Sequence, residues 1–219
     1  MSMLKRLFLY LCIYLPIVFV TGSISIVFAL RKGEISCTPF MLVTSGLNYE
    51  QQWVKLENVS EEMKNAIIVS EDASFFLHNG FDNTQLKEMK KHHEQYGSKI
   101  RGCSTISQQT AKNCFTFGSR TWLRKALEAY FTVLIEKIWG KERILEVYIN
   151  VAQTGKDIYG VEVAAKRYFG IKASQLTMAD ASALVCCLPN PEHRTPEWVG
   201  LNLQDKRVII AQRASLLKK

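Results

Sequence analysis

From Leu7 to Leu30 the chain runs for 24 residues without one charged side chain. A helix needs about 20 such residues to cross the hydrocarbon layer of a bilayer. Pro16 and Gly22 interrupt the run, but both residue types are tolerated in spanning helices. Lys5 and Arg6 ahead of it resemble the basic start of a secretory signal. The run is nevertheless longer than a typical signal core, and no small-x-small cleavage site follows. A retained transmembrane anchor is therefore the expectation. Lys5 and Arg6 on one side are balanced by Arg31 and Lys32 on the other, so charge bias alone does not orient it. The short N-terminal tail is the easier part to keep in the cytoplasm.

Beyond the anchor, 219 residues leave room for one domain of ordinary size. A formal net charge of +8 gives a surface that attracts polyanions of any kind. Nucleic acid, anionic lipid and diphosphate-bearing substrates all satisfy it. Six cysteines stand at positions 12, 37, 103, 114, 186 and 187. They show no metal-ligand spacing, and adjacent Cys186 and Cys187 are poorly placed to bridge each other. Cys103 with Cys114 could pair in an oxidising compartment, whereas small buried apolar residues are the simpler reading.

Residues 33–59 read as an extended connection between membrane and domain. Ser60 before Glu61 and Glu62 is an N-cap with acid in the first turn. Met63, Ala66, Ile67 and Val69 carry that helix toward Phe76. Residues 82–101 crowd Lys87, Lys90, Lys91, His92, His93, Lys99 and Arg101 around Gly97 and read as a mobile basic segment. Trp122 to Trp139 is the strongest helix. Leu123, Leu127, Tyr130, Leu134 and Ile138 form an expected core stripe, and Arg124, Glu128, Thr132 and Glu136 form a polar one. A second helix follows Gly140. Thr177 with Asp180 has capping-box spacing for a helix over 178–187, stopped by Pro189. The tail from Asp205 to Leu217 reads as helix. No alternating strand pattern stands out, so the fold class is mainly α.

Three blocks place polar groups in apolar surroundings. Glu71–Asp82 sets Glu71 and Asp72 after an apolar helical run, where desolvation raises a carboxyl pKa toward the range of a general base or acid. Arg101–Asn113 sets glycine, hydroxyls and amides at the entry to a helix, a place suited to binding anions. Arg124–Glu128, continued by Lys141–Asn150, sets two cations beside one acid, and such a group could hold a diphosphate.

In order, Glu71–Asp82, Gly102–Asn113, Arg124–Asn150, Gly160–Gly170 and Leu176–Pro191 resemble the motifs of glycosyltransferase family 51, the peptidoglycan glycosyltransferases. The resemblance covers roughly residues 50–195. RGCSTISQQTAKN and the LPNP at Leu188–Pro191 are most similar to its monofunctional biosynthetic branch, and no chain remains here for the transpeptidase domain of the bifunctional relatives. Cys103 departs from the usual Gly or Ala. The resemblance implies a lysozyme-like helical domain over 60–219, joined by 33–59 to a cytoplasmic tail and anchor over 1–32. The anchor would cross the bacterial inner membrane once and hold the domain on the periplasmic side, with the basic segment at 82–101 between donor and acceptor sites. The implied reaction polymerises lipid II into β-1,4-linked glycan strands with inversion and release of undecaprenyl diphosphate. Glu71 matches the catalytic base and Glu128 the second essential carboxylate. Lys112, Arg124 and Lys125 match the basic positions near the diphosphate. Gln108, Ser104 and Thr105 match donor-site hydrogen bonding. Asp72, Phe75 and His78 would support Glu71. No covalently bound cofactor is implied, and Mg2+ or Mn2+ is compatible with the family. Partners would be lipid II, the growing lipid-linked glycan, membrane lipids and other cell-wall synthesis and division proteins. A lysozyme-like cleaving enzyme is the main alternative, but it would not require clustered cations. A non-catalytic binder of anionic lipid is the second, and it would leave Glu71 dispensable. A nucleic-acid binder would show a basic recognition helix and no membrane span.

Overall fold

The computed structural model describes residues 9–97, 104–118 and 121–217. The apolar run is helical, with a wide π-type turn over Tyr10–Tyr14 leading into α1, Leu15–Ala29. Pro16 has no N–H to offer the turn behind it, and Leu15 N–H bonds five residues back to Tyr10 O. Together Tyr10–Ala29 spans 20 residues with a mean hydropathy of 2.3, long and apolar enough to cross a membrane. After it come α2 (Pro39–Ser45), β1 (Glu50–Gln51) and a 3-10 turn at Leu56–Asn58. The expected plain extended connection thus carries a capped helix, because Thr38 Oγ1 accepts Met41 N–H at 3.2 Å and Pro39 suits a first helical turn.

α3 covers Glu61–Glu71, and Ser60 Oγ accepts Met63 N–H at 3.2 Å as expected of an N-cap. It stops at Glu71 rather than running toward Phe76, because Asp72 leaves helical geometry at φ −163°, ψ 76° and spends its carboxylate on a distant segment. The basic stretch expected to be a mobile segment is instead helical over α4, Asn83–Tyr96. Asp82 Oδ1 caps Gln85 N–H at 2.8 Å and Gly97 closes the end at φ +60°. None of its side chains is buried. Lys99 and Arg101 of that stretch, and Cys103 of the suggested disulfide, lie outside the described residues. Cys114 is buried, and loss of solvent pushes its thiol pKa up to about 12.

The remaining helices are α5 (Ile106–Phe115), α6 (Trp122–Ile138), α7 (Lys141–Val151), α8 (Val161–Phe169), α9 (Met178–Cys187), α10 (Pro196–Asn202) and α11 (Gln204–Leu216). Thr177 and Asp180 form the expected capping box of α9. β2 (Gln153–Gly155) and β3 (Ile158–Tyr159) complete a small sheet of order β1-β3-β2, parallel between β1 and β3 and antiparallel between β2 and β3. Two-residue pairings of this kind leave too little alternation to be read from sequence.

α5 is held between α6 and α7, with Phe115 stacked on Phe131 at 4.5 Å. The faces of α6 follow the expectation only in part. Leu123 is 70% exposed, whereas Glu128 and Thr132 of the polar stripe are buried. Tyr130, Leu134 and Ile138 are partly buried against the core, and Tyr130 also meets α1: Ser23 Oγ lies 2.6 Å from Tyr130 OH, and the Phe19 and Tyr130 rings are 5.5 Å apart. Part of the apolar stripe therefore packs against the long apolar helix α1, and the polar stripe turns into the domain. Three further bonds hold the end of α1 and the residues just after it. Trp139 Nε1–H donates to Val27 O at 2.7 Å, and Arg143 donates to Leu30 O at 2.9 Å and Gly33 O at 2.6 Å.

Asn150 ties the connection to the core. Its Oδ1 accepts Val54 N–H, and its Nδ2 donates to Val54 O and Glu146 O, each at 2.8 Å. Gly160 is pressed against this residue: at φ +84°, a Cβ there would sit 2.9 Å from Asn150 O. Asn150→Ala leaves buried backbone groups unpaired and is expected to cost about 3 kcal/mol. In thermal unfolding of the detergent-solubilised chain this should lower the midpoint by roughly 6–10 °C. An unchanged midpoint would show that the connection is not held this way.

Candidate active site

Glu71 is the last residue of α3 and half-buried. Burial raises its carboxyl pKa above the ordinary value, and the opposing influences are a hydrogen bond from Gln109, the charges of Lys206 and Lys112, and a bond from Ser70. Gln109 Nε2 donates to Glu71 Oε2 at 2.9 Å and to Ser104 O at 3.3 Å. Its Oε1 faces the hydroxyl of fully buried Tyr148 at 3.5 Å. The amide thus holds the carboxylate by one end while the other end points to the core.

The next residue in the chain joins two segments. Asp72 is buried and accepts Ile106 N–H at 3.0 Å on Oδ2, while His78 Nε2 lies 2.9 and 3.0 Å from its two oxygens. An acid at a helix start also suits the positive end of the peptide dipoles. His78 Nδ1 accepts Gly80 N–H at 3.1 Å, which fixes the other face of the ring. Phe75 is fully buried, with Lys141 Nζ 4.5 Å from its ring centre. Gly80 has φ +91°, and a Cβ there would sit 2.7 Å from Thr132 Cγ2, so this crossing needs glycine. Thr105 Oγ1 donates to Gly80 O at 2.7 Å.

Thr105 and Gln108 form a capping box at the start of α5. Thr105 N–H donates to Gln108 Oε1 at 3.1 Å, and Gln108 N–H to Thr105 Oγ1 at 3.2 Å. The structure therefore turns Gln108 into the helix start and turns Gln109 to Glu71. Nothing in the sequence reading singled out Gln109, although a Thr-x-x-Gln box accounts for the first amide and leaves the second free for other work.

Lys112 lies one turn past Gln108 on α5 and is half-buried. Burial lowers its pKa; Glu128 and Glu71 oppose that, while Arg124 and Lys125 add to it. These five groups therefore share one electrostatic field. On α6, buried Glu128 receives Arg124 Nη1–H at 2.7 Å on one oxygen and the Lys125 ammonium on the other. Lys125 also donates to Ser104 Oγ at 3.4 Å. Farther along the same stripe, Glu136 binds Ser107 Oγ and takes Lys141 Nζ at 2.6 Å, which locks α5 to α6 below the site. Beside Lys112 a cleft of about 210 Å3 is lined by Gln109, Asn113, Tyr148, Phe40 and the loop from Leu188 to Pro191. Asn113, also in its wall, has its Oδ1 buried without a hydrogen-bond partner among the described residues.

Three cations against one neutralised acid leave surplus positive charge for an anion, opposite a carboxyl with a raised pKa. The arrangement can take a proton from an alcohol and receive a leaving group that departs as an anion. Both oxygens of Glu128 are engaged by cations, and among the described residues no group of three His, Cys, Asp or Glu could hold an ion.

Residues 41–215 match the transglycosylase family model. A biosynthetic peptidoglycan transglycosylase of Caulobacter vibrioides is 43% identical over 189 residues, covering 85% of this chain and 82% of the relative. One from Pseudomonas entomophila is 44% identical over 181 residues, covering 79% and 76%. One from Bdellovibrio bacteriovorus is 40% identical over 183 residues, covering 80% and 73%.

The hydrogen bond from Gln109 favours the ionised form of Glu71, so Gln109→Ala should move the titration of Glu71 to higher pH. Infrared titration of the carboxyl band, with Glu71→Gln subtracted, reports it. A titration that stays in place would remove Gln109 from this role.

Proposed function

Because the chain belongs to the transglycosylase family and polymerises peptidoglycan glycan strands, we propose that Glu71 is the general base of that reaction. In this reading the acceptor is lipid II and the donor is the growing strand on its lipid diphosphate. Glu71 takes the proton of the acceptor sugar's 4-hydroxyl as that oxygen attacks the donor's anomeric carbon. The carbon–oxygen bond to the diphosphate breaks on the opposite face, so the new β-1,4 bond forms with inversion and undecaprenyl diphosphate departs. Proton transfer by a placed base contributes about 10²–10⁴-fold. A diphosphate needs no strong acid to leave, but it needs positive charge where its own charge grows. Lys112, Arg124 and Lys125 supply that charge, and Glu128 orients the last two.

The observation that carries this reading is the pairing of Glu71 with Gln109 on α5, the helix that also carries Lys112. Ser104 and Thr105 act at the rim of the same helix start, and Gln108 acts through the cap rather than on the donor. Asp72, His78 and Phe75 position the loop behind the base. Mg2+ or Mn2+, where it takes part, travels with the substrate's diphosphate. The long apolar helix serves as a single-pass anchor in the bacterial inner membrane, with the domain on the periplasmic side where lipid-linked substrate is consumed. Other wall-synthesis and division proteins are partners of the same kind of site. The cleaving alternative is disfavoured by the surplus of cations opposite the base, which a sugar leaving group would not use.

Glu71→Gln preserves shape and removes the basic oxygen. Incubated with labelled lipid II, this variant should fold, retain lipid II and form no polymer, a loss of at least 100-fold. Near-normal strand synthesis would overturn the assignment.

A further inference from the structure

Lys112 is held unlike the other two cations. Arg124 and Lys125 share the carboxylate of Glu128. Among the described residues no carboxylate lies within ion-pair distance of Lys112, and its ammonium instead sits 5.0 Å from the centre of the Phe40 ring. That separation is within the range at which the negative face of an aromatic ring attracts a cation. Phe40 comes from α2, outside the helices that carry the acidic and basic groups, and its ring lines the same cleft as Gln109 and Asn113. We propose that Phe40 is a positioning residue for glycosyl transfer, holding the Lys112 ammonium against its ring so that the N–H groups turned away from the ring stay open to a substrate diphosphate.

The chemistry favours a ring over an acid at this place. A carboxylate would occupy the donors of Lys112 and would have to be displaced by every incoming diphosphate. A π face attracts the charge through at most a weak N–H···π contact and leaves the donors turned away from it for the diphosphate. The ring itself is firmly seated. Pro39 and the Thr38 cap start α2, Met41 beside Phe40 is fully buried, and α2 packs on α5. Upstream, Gln51 Nε2 donates to Ile35 O at 2.9 Å and Arg143 holds Gly33 O. A short, braced connection therefore joins the membrane anchor to the reacting charge.

The titratable groups around Lys112 are Glu71 on α3, Arg124, Lys125 and Glu128 on α6, and the hydroxyl of Tyr148 on α7, whose pKa burial raises; α2 contributes none. Burial already lowers the pKa of Lys112. The ring favours its charged form, so removing the ring lowers it further, and activity that needs the ammonium fails at a lower pH.

The inference rests on Lys112 meeting the diphosphate, and the test separates the two claims. The pH dependence of kcat/KM for lipid II polymerisation is measured on the full chain and on Phe40→Leu, Phe40→Tyr and Lys112→Ala. Phe40→Leu should lose several-fold in kcat/KM and shift the alkaline limb down by about half a pH unit. Phe40→Tyr keeps the π face and should restore the limb. If Lys112→Ala is inactive while Phe40→Leu keeps the unmodified limb, or if both Phe40 variants lose activity without moving it, the ring has no such role. If Lys112→Ala polymerises normally, the diphosphate reading of Lys112 fails, and the inference fails with it.

Discussion

A single buried carboxylate, Asp72, decides where the reacting groups stand. It follows Glu71, ends α3, and accepts the first N–H of α5 at 3.0 Å. That bond fixes the final turn of α3 to the start of α5 through the backbone, beside the side-chain bond from Gln109 to Glu71. Burying an anion is expensive unless its oxygens are satisfied. Here His78 meets both oxygens, and Gly80 N–H holds the far side of the same ring. The junction is therefore a closed set of hydrogen bonds, and Gln109 and Lys112 take their places relative to Glu71 as consequences of it.

Around this junction the charges are distributed unevenly, and the unevenness is what makes chemistry possible. Glu128 is neutralised by two cations at once, whereas Glu71 has a neutral amide as its hydrogen-bond donor and more distant positive charge. One acid is thereby tied between two cations, while burial raises the carboxyl pKa of the other above its ordinary value. Lys112 completes the asymmetry as a cation without a carboxylate at ion-pair distance among the described residues. A proton acceptor and an anion site stand in one field, each with the group it needs still free.

Much of this was legible in the residues, and the failures have physical causes. Thr177 and Asp180, Ser60, and the length of α6 follow from capping and periodicity, which are local. The faces of α6 do so only in part: periodicity shows that a helix has two sides, but it cannot say that α1 will take Tyr130 while Glu128 and Thr132 turn inward. The stretch after Asp82 looked irregular because charge density drew more notice than its two punctuating residues, Asp82 as cap and Gly97 as left-handed stop. Gln108 and Gln109 are chemically identical neighbours, and only the Thr105 capping box separates the one that closes the helix from the one that reaches Glu71. Phe40 carried no signal at all. Its value comes from α2 folding against α5, a contact between segments about 70 residues apart that no local pattern announces.

The most direct test of the account is a double-mutant cycle on kcat/KM for polymerisation, using Asp72→Ala, Gln109→Ala and the pair. If Asp72 sets the position of α5, the contribution of Gln109 exists only while Asp72 is present. The double variant should then be about as impaired as the worse single one. Fully additive losses would mean that Gln109 reaches Glu71 without the Asp72 junction, and the account would be contradicted.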